Sequence, residues 1–243
     1  MTDFFELSEQ LQRVYSSRLA LRPLALSDGW PLFEATRNPE FNKNLLWPQP
    51  QSPLVVLDRV QTIMDVASRG GLTALSAVLK QTGEWVSLYR FQPYEADRSL
   101  VEMGLWVHEK FWRDRYGLEL TQACVDSAFS LSGISLLIGC TAVDNPAAGR
   151  ILERAGLKAT QVVLRQSETK VERPSQEFRI TRAQWLAKRT EGTFEYVPEP
   201  PIFPLGSQDP MVFAETVGAE FFRRSVANLG SSPDNCDDLH ATA

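Results

Sequence analysis

The stretch Ile134-Ser-Leu-Leu-Ile-Gly-Cys-Thr-Ala-Val143, continuing through Asp144-Asn145-Pro146 to Ala-Ala-Gly-Arg-Ile-Leu-Glu-Arg-Ala155 and Gly156, decides the class of fold. Ile134–Val143 is uncharged, apolar and rich in β-branched residues, the composition of a buried strand. Pro146 can open a helix because its missing N–H falls where a first-turn donor has no partner, and Gly156 supplies the C-cap after Ala155. Upstream, Val101, Met103, Leu105 and Val107 alternate with Glu102, Gly104, Trp106 and His108, so Leu100–His108 is a second strand. Between the two, Gly117–Leu131 sets Leu118, Ala123, Cys124, Ser127, Ala128 and Leu131 on one helical face. The expectation is an α/β (α+β) domain.

Farther out, Leu72–Leu79, the turn Gln81-Thr82-Gly83-Glu84 and Trp85–Phe91 predict a β-hairpin. Val56, Val60, Ile63, Met64 and Ala67 recur at helical spacing over Val55–Ser68, and Gly70-Gly71 ends that helix. Asn38–Pro48 predicts a helical piece stopped by prolines, and Trp30–Thr36 a helix with Pro31 in its first turn and Ser27 or Asp28 as cap. Arg18–Leu24 alternates as a strand, and residues 1–16 form a leading helix or arm with Phe4, Phe5, Leu7, Leu11 and Val14 along one side. Downstream, Val162–Arg165 and Gln176–Ile180 predict short strands and Thr181–Lys188 a closing helix.

The domain is expected over 17–190, followed by a proline-rich linker at 191–209, an amphipathic helix at 210–229 and a disordered tail at 230–243. Val212, Phe213, Thr216, Val217 and Phe221 form a stripe that one helix cannot bury alone, so it docks on the parent domain or joins a homodimer.

The chain's 243 residues, 43% hydrophobic with six Trp and thirteen Phe, are enough for one domain with a sizeable core plus an appendage. A formal charge of −5 argues against nucleic acid or an anionic membrane as partner. Cys124, Cys140 and Cys236, with only His108 and His240 beside them, make no metal-site pattern. Neither a signal core nor a membrane-length apolar run is visible, so a soluble, reduced, cytoplasmic protein is expected. Core packing is the reading for both Cys124 and Cys140. His108 is either a relay or, the favoured reading, a surface side chain. Trp47, Trp85 and Trp106 are core aromatics unless they line an acceptor pocket.

The order of elements resembles the GNAT acetyltransferase superfamily. Local wording narrows the resemblance to its ribosomal-protein N-acetyltransferase branch: Arg18-Leu-Ala-Leu-Arg-Pro-Leu, Asn38-Pro39-Glu40, Leu46-Trp47-Pro48, Glu102-Met-Gly-Leu-Trp106, Phe111-Trp112 and Val143–Leu157. The resemblance covers about 16–190. It implies a mixed, mostly antiparallel sheet whose strands Leu100–His108 and Ile134–Val143 are parallel and splay into a V. Acetyl-CoA lies in that gap as co-substrate, its pyrophosphate on backbone N–H groups of the following loop and first helical turn. The cofactor-binding set so implied is Trp106, Val107, His108, Arg113, Arg115, Tyr116, Gly117 and Asn145, with a backbone N–H around Trp106–His108 on the thioester oxygen.

The chain departs from the family pattern in two places. Trp112-Arg113-Asp114-Arg115-Tyr116-Gly117 aligns with the phosphate loop, and Gly117 and Glu119 match, but Arg115 replaces the central glycine. Arg113 and Arg115 either meet the phosphates through their side chains, or form a solvated edge, or mark a loop that has lost CoA. The family's proton donor, a Tyr or a Ser after the Asn, corresponds to Leu152 and Ala148, neither of which carries a proton to give. Glu102 is the candidate base, weighed against a solvated strand carboxylate. Asn145 is a hydrogen-bond partner for pantetheine or amine, weighed against a turn residue before Pro146. The resulting expectation is an acetyl-CoA-dependent N-acetyltransferase acting on a primary amine, a peptide N-terminus or small molecule, by direct transfer. The alternative is a catalytically inactive GNAT-fold binding or regulatory module.

Overall fold

The computed structural model describes residues 2–14, 16–43, 48–94, 96–130, 133–166 and 172–190. In chain order these form α1 (Phe4–Gln12), β1 (Leu19–Pro23), α2 (Gly29–Thr36), α3 (Pro39–Asn42), α4 (Pro53–Ala67), β2 (Thr73–Leu79), β3 (Trp85–Tyr94), β4 (Asp97–Val107), α5 (Tyr116–Ser130), β5 (Leu136–Ala142), α6 (Pro146–Arg154), β6 (Lys158–Gln166), β7 (Glu172–Thr181) and α7 (Arg182–Thr190). The expected linker, helix and tail after residue 190, with their docking or dimer contact, lie outside the described residues, as do Leu46, Trp47 and Leu131.

The strands make one seven-stranded sheet in the order β1-β2-β3-β4-β5-β7-β6. Every neighbouring pair is antiparallel except β4 and β5, which run parallel. Helices cover both faces, as they must when each face of a sheet is apolar. On one face α1, α5 and α7 bury Phe4, Leu7, Leu11, Leu120, Phe129 and Trp185 against Tyr89, Phe91, Val101 and Met103. On the other, α2, α3 and α4 bury Leu32, Phe41, Val56 and Val60 against Leu88 and Trp85.

The leading helix is part of this core. Asp3 caps it by accepting from Phe5 N–H at 2.8 Å, and Thr73 on β2 donates to the Phe4 carbonyl at 2.6 Å. Phe4, Leu7 and Leu11 have at most 1% exposure, so burial contributes about 1.5–3 kcal/mol for each side chain before ordering costs. Phe5, counted in the same stripe from sequence, faces outward.

Asp28 corrects a local expectation. It precedes α2 but gives the helix no side-chain cap. Instead its buried carboxylate accepts from Arg22 Nη1 and Nη2, from Ala25 N–H at 2.8 Å and from Ser76 Oγ at 2.7 Å, and Ser76 in turn accepts from Trp85 Nε1 at 3.1 Å. A desolvated bidentate pair is stable only when its remaining lone pairs are filled, which Ala25 and Ser76 accomplish. Trp85 is thus a core residue of this network and not part of an acceptor pocket.

The last two strands are longer than Val162–Arg165 and Gln176–Ile180 suggest. They form a hairpin from Lys158 to Thr181 at the sheet edge, and β6 is mostly exposed, so the apolar alternation that marks a half-buried strand is weak there. No helix among the described residues is long and apolar enough to cross a membrane.

Candidate active site

The parallel pair holds together only from Leu100–Leu136 to Met103–Gly139, although β4 continues to Val107 and β5 to Ala142. Beyond Met103 the two strands therefore separate. Gly139, the last residue of β5 paired with β4, lets α6 press close: a Cβ there would meet Leu152 Cδ2 at 2.7 Å. His108 N–H is consumed by the Val86 carbonyl at 2.9 Å on the β3 side. Since successive N–H groups on a strand point to opposite edges, those of Leu105 and Val107 point toward the gap that β5 has left. His108 has no free backbone donor for the gap, and its ring is sheltered edge-on between Trp85 and Phe111. Its Nδ1 accepts from Lys110 N–H, and the side chain is 13% exposed, half-buried and not the surface group expected.

The loop between β4 and α5 keeps a glycine-like backbone without the glycine. Arg113 and Arg115 both have left-handed dihedrals, φ 76° and φ 64°. For a residue with a Cβ that conformation costs about 1–2 kcal/mol and persists only where surrounding contacts impose it. Three contacts do so here. Trp112 Nε1 donates to the Val107 carbonyl at 2.9 Å, Arg18 Nη2 donates to the Asp114 carbonyl at 2.9 Å, and the Arg18 guanidinium lies 4.0 Å from the Tyr116 ring centre. Arg18 is anchored in turn by Glu119, which also accepts from Ser16, Ser17 and Arg18 N–H. Burial opposes the charge of Glu119, but these hydrogen bonds and the Arg18 charge outweigh it and hold its carboxyl below the ordinary range.

Among the described residues, the backbone N–H groups of 113–118 donate to no protein acceptor, and the first one used is Glu119 N–H to the Arg115 carbonyl. Left-handed turns that aim successive N–H groups at the start of a helix form an anion-binding nest. Gly117 sits beneath it, where a Cβ would come within 3.2 Å of Ile151 and 3.4 Å of Leu105. The side chains of Arg113 and Arg115 are exposed and form no ion pair among the described residues, leaving both charges beside the nest. This backbone fits a diphosphate.

On the α4 face of the sheet a cavity of about 300 Å³ lies along both lips of the gap, with Glu102, Gly104 and Trp106 of β4 facing Cys140 of β5 and Asn145 and Ala148 of α6. Glu102 Oε1 accepts from Arg165 Nη1 at 2.7 Å and Oε2 from Gln92 Nε2 at 3.1 Å, so it is a held carboxylate and not a freely solvated one. Asn145 caps α6, its Oδ1 accepting from Ala148 N–H at 3.3 Å, and its amide NH₂ is uncommitted among the described residues. Burial, reinforced by the Glu102 and Glu177 carboxylates, pushes the Cys140 thiol up to about 11, and burial alone raises Cys124 further; neither is a nucleophile near neutral pH.

Of the residues singled out from sequence, Glu102, Trp106 and Asn145 share this cavity. Arg113, Arg115, Tyr116 and Gly117 form the nest beyond the gap, and Val107 joins the two by its carbonyl bond to Trp112. Sequence reasoning missed Arg90 and Arg165, which line the cavity from β3 and β6, and Arg18, which staples the loop.

Residues 18–158 match the acetyltransferase (GNAT) domain family. The N-acetyltransferase p20 of Bacillus licheniformis is 23% identical over 120 residues, covering 49% of this chain and 67% of that protein. A GNAT-family acetyltransferase from Bacillus anthracis superposes with a TM-score of 0.60 at 16% identity, over 70% of this chain and 98% of its own. The ribosomal L7/L12 alpha-N-protein acetyltransferase RimL, solved with coenzyme A, gives 0.60 at 18% identity over 70% and 97%. The microcin C7 self-immunity acetyltransferase MccE, solved with acetyl-CoA and AMP, gives 0.61 at 13% over 71% and 99%. At these identities the structural likenesses speak for the fold, while the family match spans more than half of the sequence: the chain belongs to the GNAT acetyltransferase family.

Proposed function

We propose that this protein moves the acetyl group of acetyl-CoA to a primary amine, a peptide N-terminus or a small molecule, held in the cavity beside Glu102. The observation that carries this reading is the conjunction of a sheet opened beyond Met103 and Gly139 with a left-handed loop whose N–H groups have no partner among the described residues. When bound, acetyl-CoA supplies an activated acyl group as a thioester. The 113–118 backbone holds its diphosphate, Arg113 and Arg115 add side-chain charge, and Leu105 or Val107 N–H donates to the thioester oxygen as negative charge develops there. Glu102 takes the proton from the attacking amine. Although both its oxygens have donors, a carboxylate offers about four lone-pair sites, so acceptor capacity remains. The name of RimL, a protein N-terminal acetyltransferase, supports the peptide-amine form and the ribosomal-protein branch.

Proton return to the departing thiolate is the weak step of this design. Leu152 is packed against Gly139, and Ala148 lines the cavity with a methyl group. Water can protonate a thiolate whose intrinsic pKa is about 8.5, so a slow enzyme is the expected outcome. The same two residues favour the second reading, a GNAT-fold module that binds CoA without transfer. Assay of an amine panel with wild type and Glu102→Gln separates the two. Acetylation lowered about 10²–10⁴-fold in the variant, with CoA affinity retained, supports the enzyme. Equal background rates from both proteins, with CoA bound by each, support the module.

A further inference from the structure

The cavity beside Glu102 is basic, although the chain as a whole carries −5. Arg59 of α4, Arg90 of β3, Arg165 of β6 and Arg173 of β7 line it, with Glu102 the one acidic residue in its walls among the described residues. Arg165 pairs with Glu102 at 2.7 Å, and Arg173 pairs with Asp144 at 2.9 Å. Among the described residues Arg90 donates no hydrogen bond and has no ion-pair partner, and its guanidinium lies 5.8 Å from the Trp106 ring centre.

Arg90 lies opposite Gly104 in the β3–β4 register. A Cβ on Gly104 would meet nothing within 4 Å, so open space borders the Arg90 position. Burial weighs against the Arg90 charge; Glu102 favours it, while Arg165 and Arg59 press the other way, and the net direction is downward from the ordinary arginine value. An arginine nevertheless stays protonated in proteins, so a half-buried fork of five N–H donors with no acceptor among the described residues faces the open cavity. The group that matches such a fork is a planar or tetrahedral oxyanion, which takes two parallel charge-assisted hydrogen bonds in place of water.

We propose that the acceptor amine carries an anionic oxygen group, carboxylate or phosphate, which Arg90 binds over Gly104 while the amine lies toward Glu102. This rests on the cavity being the acceptor pocket of a transferase. Glu102 and Gly104 are two residues apart on an extended strand, about 7 Å, so one acceptor reaches both positions when its amine and anion are separated by only a few bonds. The Trp106 face closes one side of the guanidinium and leaves its edge for the anion.

The test uses matched amines on the full chain: phosphoethanolamine against ethanolamine, β-alanine against β-alaninamide, and an Asp-led peptide amide against its Asn-led counterpart. The first pair reports a phosphate, the second a free carboxylate and the third a peptide carboxylate. Each is titrated calorimetrically on the free and the CoA-saturated protein and assayed for acetyl transfer. At least one anionic member should bind, or react by kcat/KM, about tenfold or more better than its neutral partner. Arg90→Gln should erase that preference while CoA affinity is unchanged, and Arg90→Lys should restore part of it. Preferences within threefold for all three pairs in wild type overturn the proposal without recourse to any variant, as does a preference that survives Arg90→Gln. Arg90-dependent anion binding by a protein that does not take up CoA would instead overturn the transferase reading and leave the anion site standing.

Discussion

Replacing Arg115 by glycine separates what the backbone of the phosphate loop contributes from what its side chain contributes. At φ 64° an arginine pays about 1–2 kcal/mol that a glycine does not, whereas glycine gives the unfolded chain about 0.4–1 kcal/mol of extra entropy. The net gain is about 0.5–1 kcal/mol, which for a domain of this size raises the melting temperature by about 1–4 °C. Arg115→Ala keeps the Cβ and the dihedral, so it should melt within about 1 °C of wild type. Both variants lose the guanidinium next to the 113–118 nest. Because that group is exposed and screened, the loss of CoA affinity belongs at the low end for a charged hydrogen bond, about tenfold. Differential scanning fluorimetry without ligand and calorimetry with CoA measure the two effects independently. Tighter CoA binding by Arg115→Gly would refute the reasoning, since it would mean that the Cβ obstructs the diphosphate, and a lower melting temperature would refute the strain.

The missing proton donor can be restored at only one of its two family positions. Ala148→Ser puts a hydroxyl into the cavity and should raise kcat, by up to about 10²-fold if thiolate protonation limits turnover, whereas an unchanged kcat would show that another step is slower. Leu152→Tyr overfills the contact with Gly139 and should cost about 1–3 kcal/mol of stability with no gain in rate; activation at unchanged stability would contradict the packing described. Glu119 has a carboxyl pKa depressed in the folded state, so its stabilisation is present above the ordinary value near 4.3 and is lost as pH falls through the depressed one. The difference in urea midpoint between wild type and Glu119→Gln should therefore shrink below about pH 4, and a difference constant from pH 7 to 3 would show that Glu119 is not held as described.

The backbone order of the domain was legible because its signals are local. Alternation marked β4, an uncharged β-branched run marked β5, and Pro146 with Gly156 bracketed α6 to within a residue. The edge hairpin of β6 and β7 was underestimated because Val162 and Leu164 face solvent at 58% and 63% exposure, so half-burial left no clear pattern. At the site, Glu102 was legible because it stands in Glu102-Met-Gly-Leu-Trp106, one of the motifs that carry the family resemblance. Arg90 and Arg165 were not, because their relation to Glu102 depends on the β3–β4 register and on a β6 strand that returns 63 residues later, which no spacing reveals. Asp28 reads as a cap because it directly precedes a helix with Pro31 in its first turn; that its carboxylate instead holds Arg22, Ala25 N–H and Ser76 depends on the β1–β2 pairing that brings Ser76 in from 48 residues on. Arg115 was readable as a departure from glycine, but not as a departure that leaves the backbone shape intact. That distinction depends on Arg18 and Trp112, whose bonds to the loop exist only in three dimensions.

Titration of the unmodified protein with acetyl-CoA tests most directly whether this loop still cradles a diphosphate. One site per chain is expected with a micromolar Kd, and a hundredfold excess over Kd should stabilise the fold by about 2.7 kcal/mol, or about 5–11 °C. The absence of both heat and a melting shift at millimolar acetyl-CoA would contradict the account.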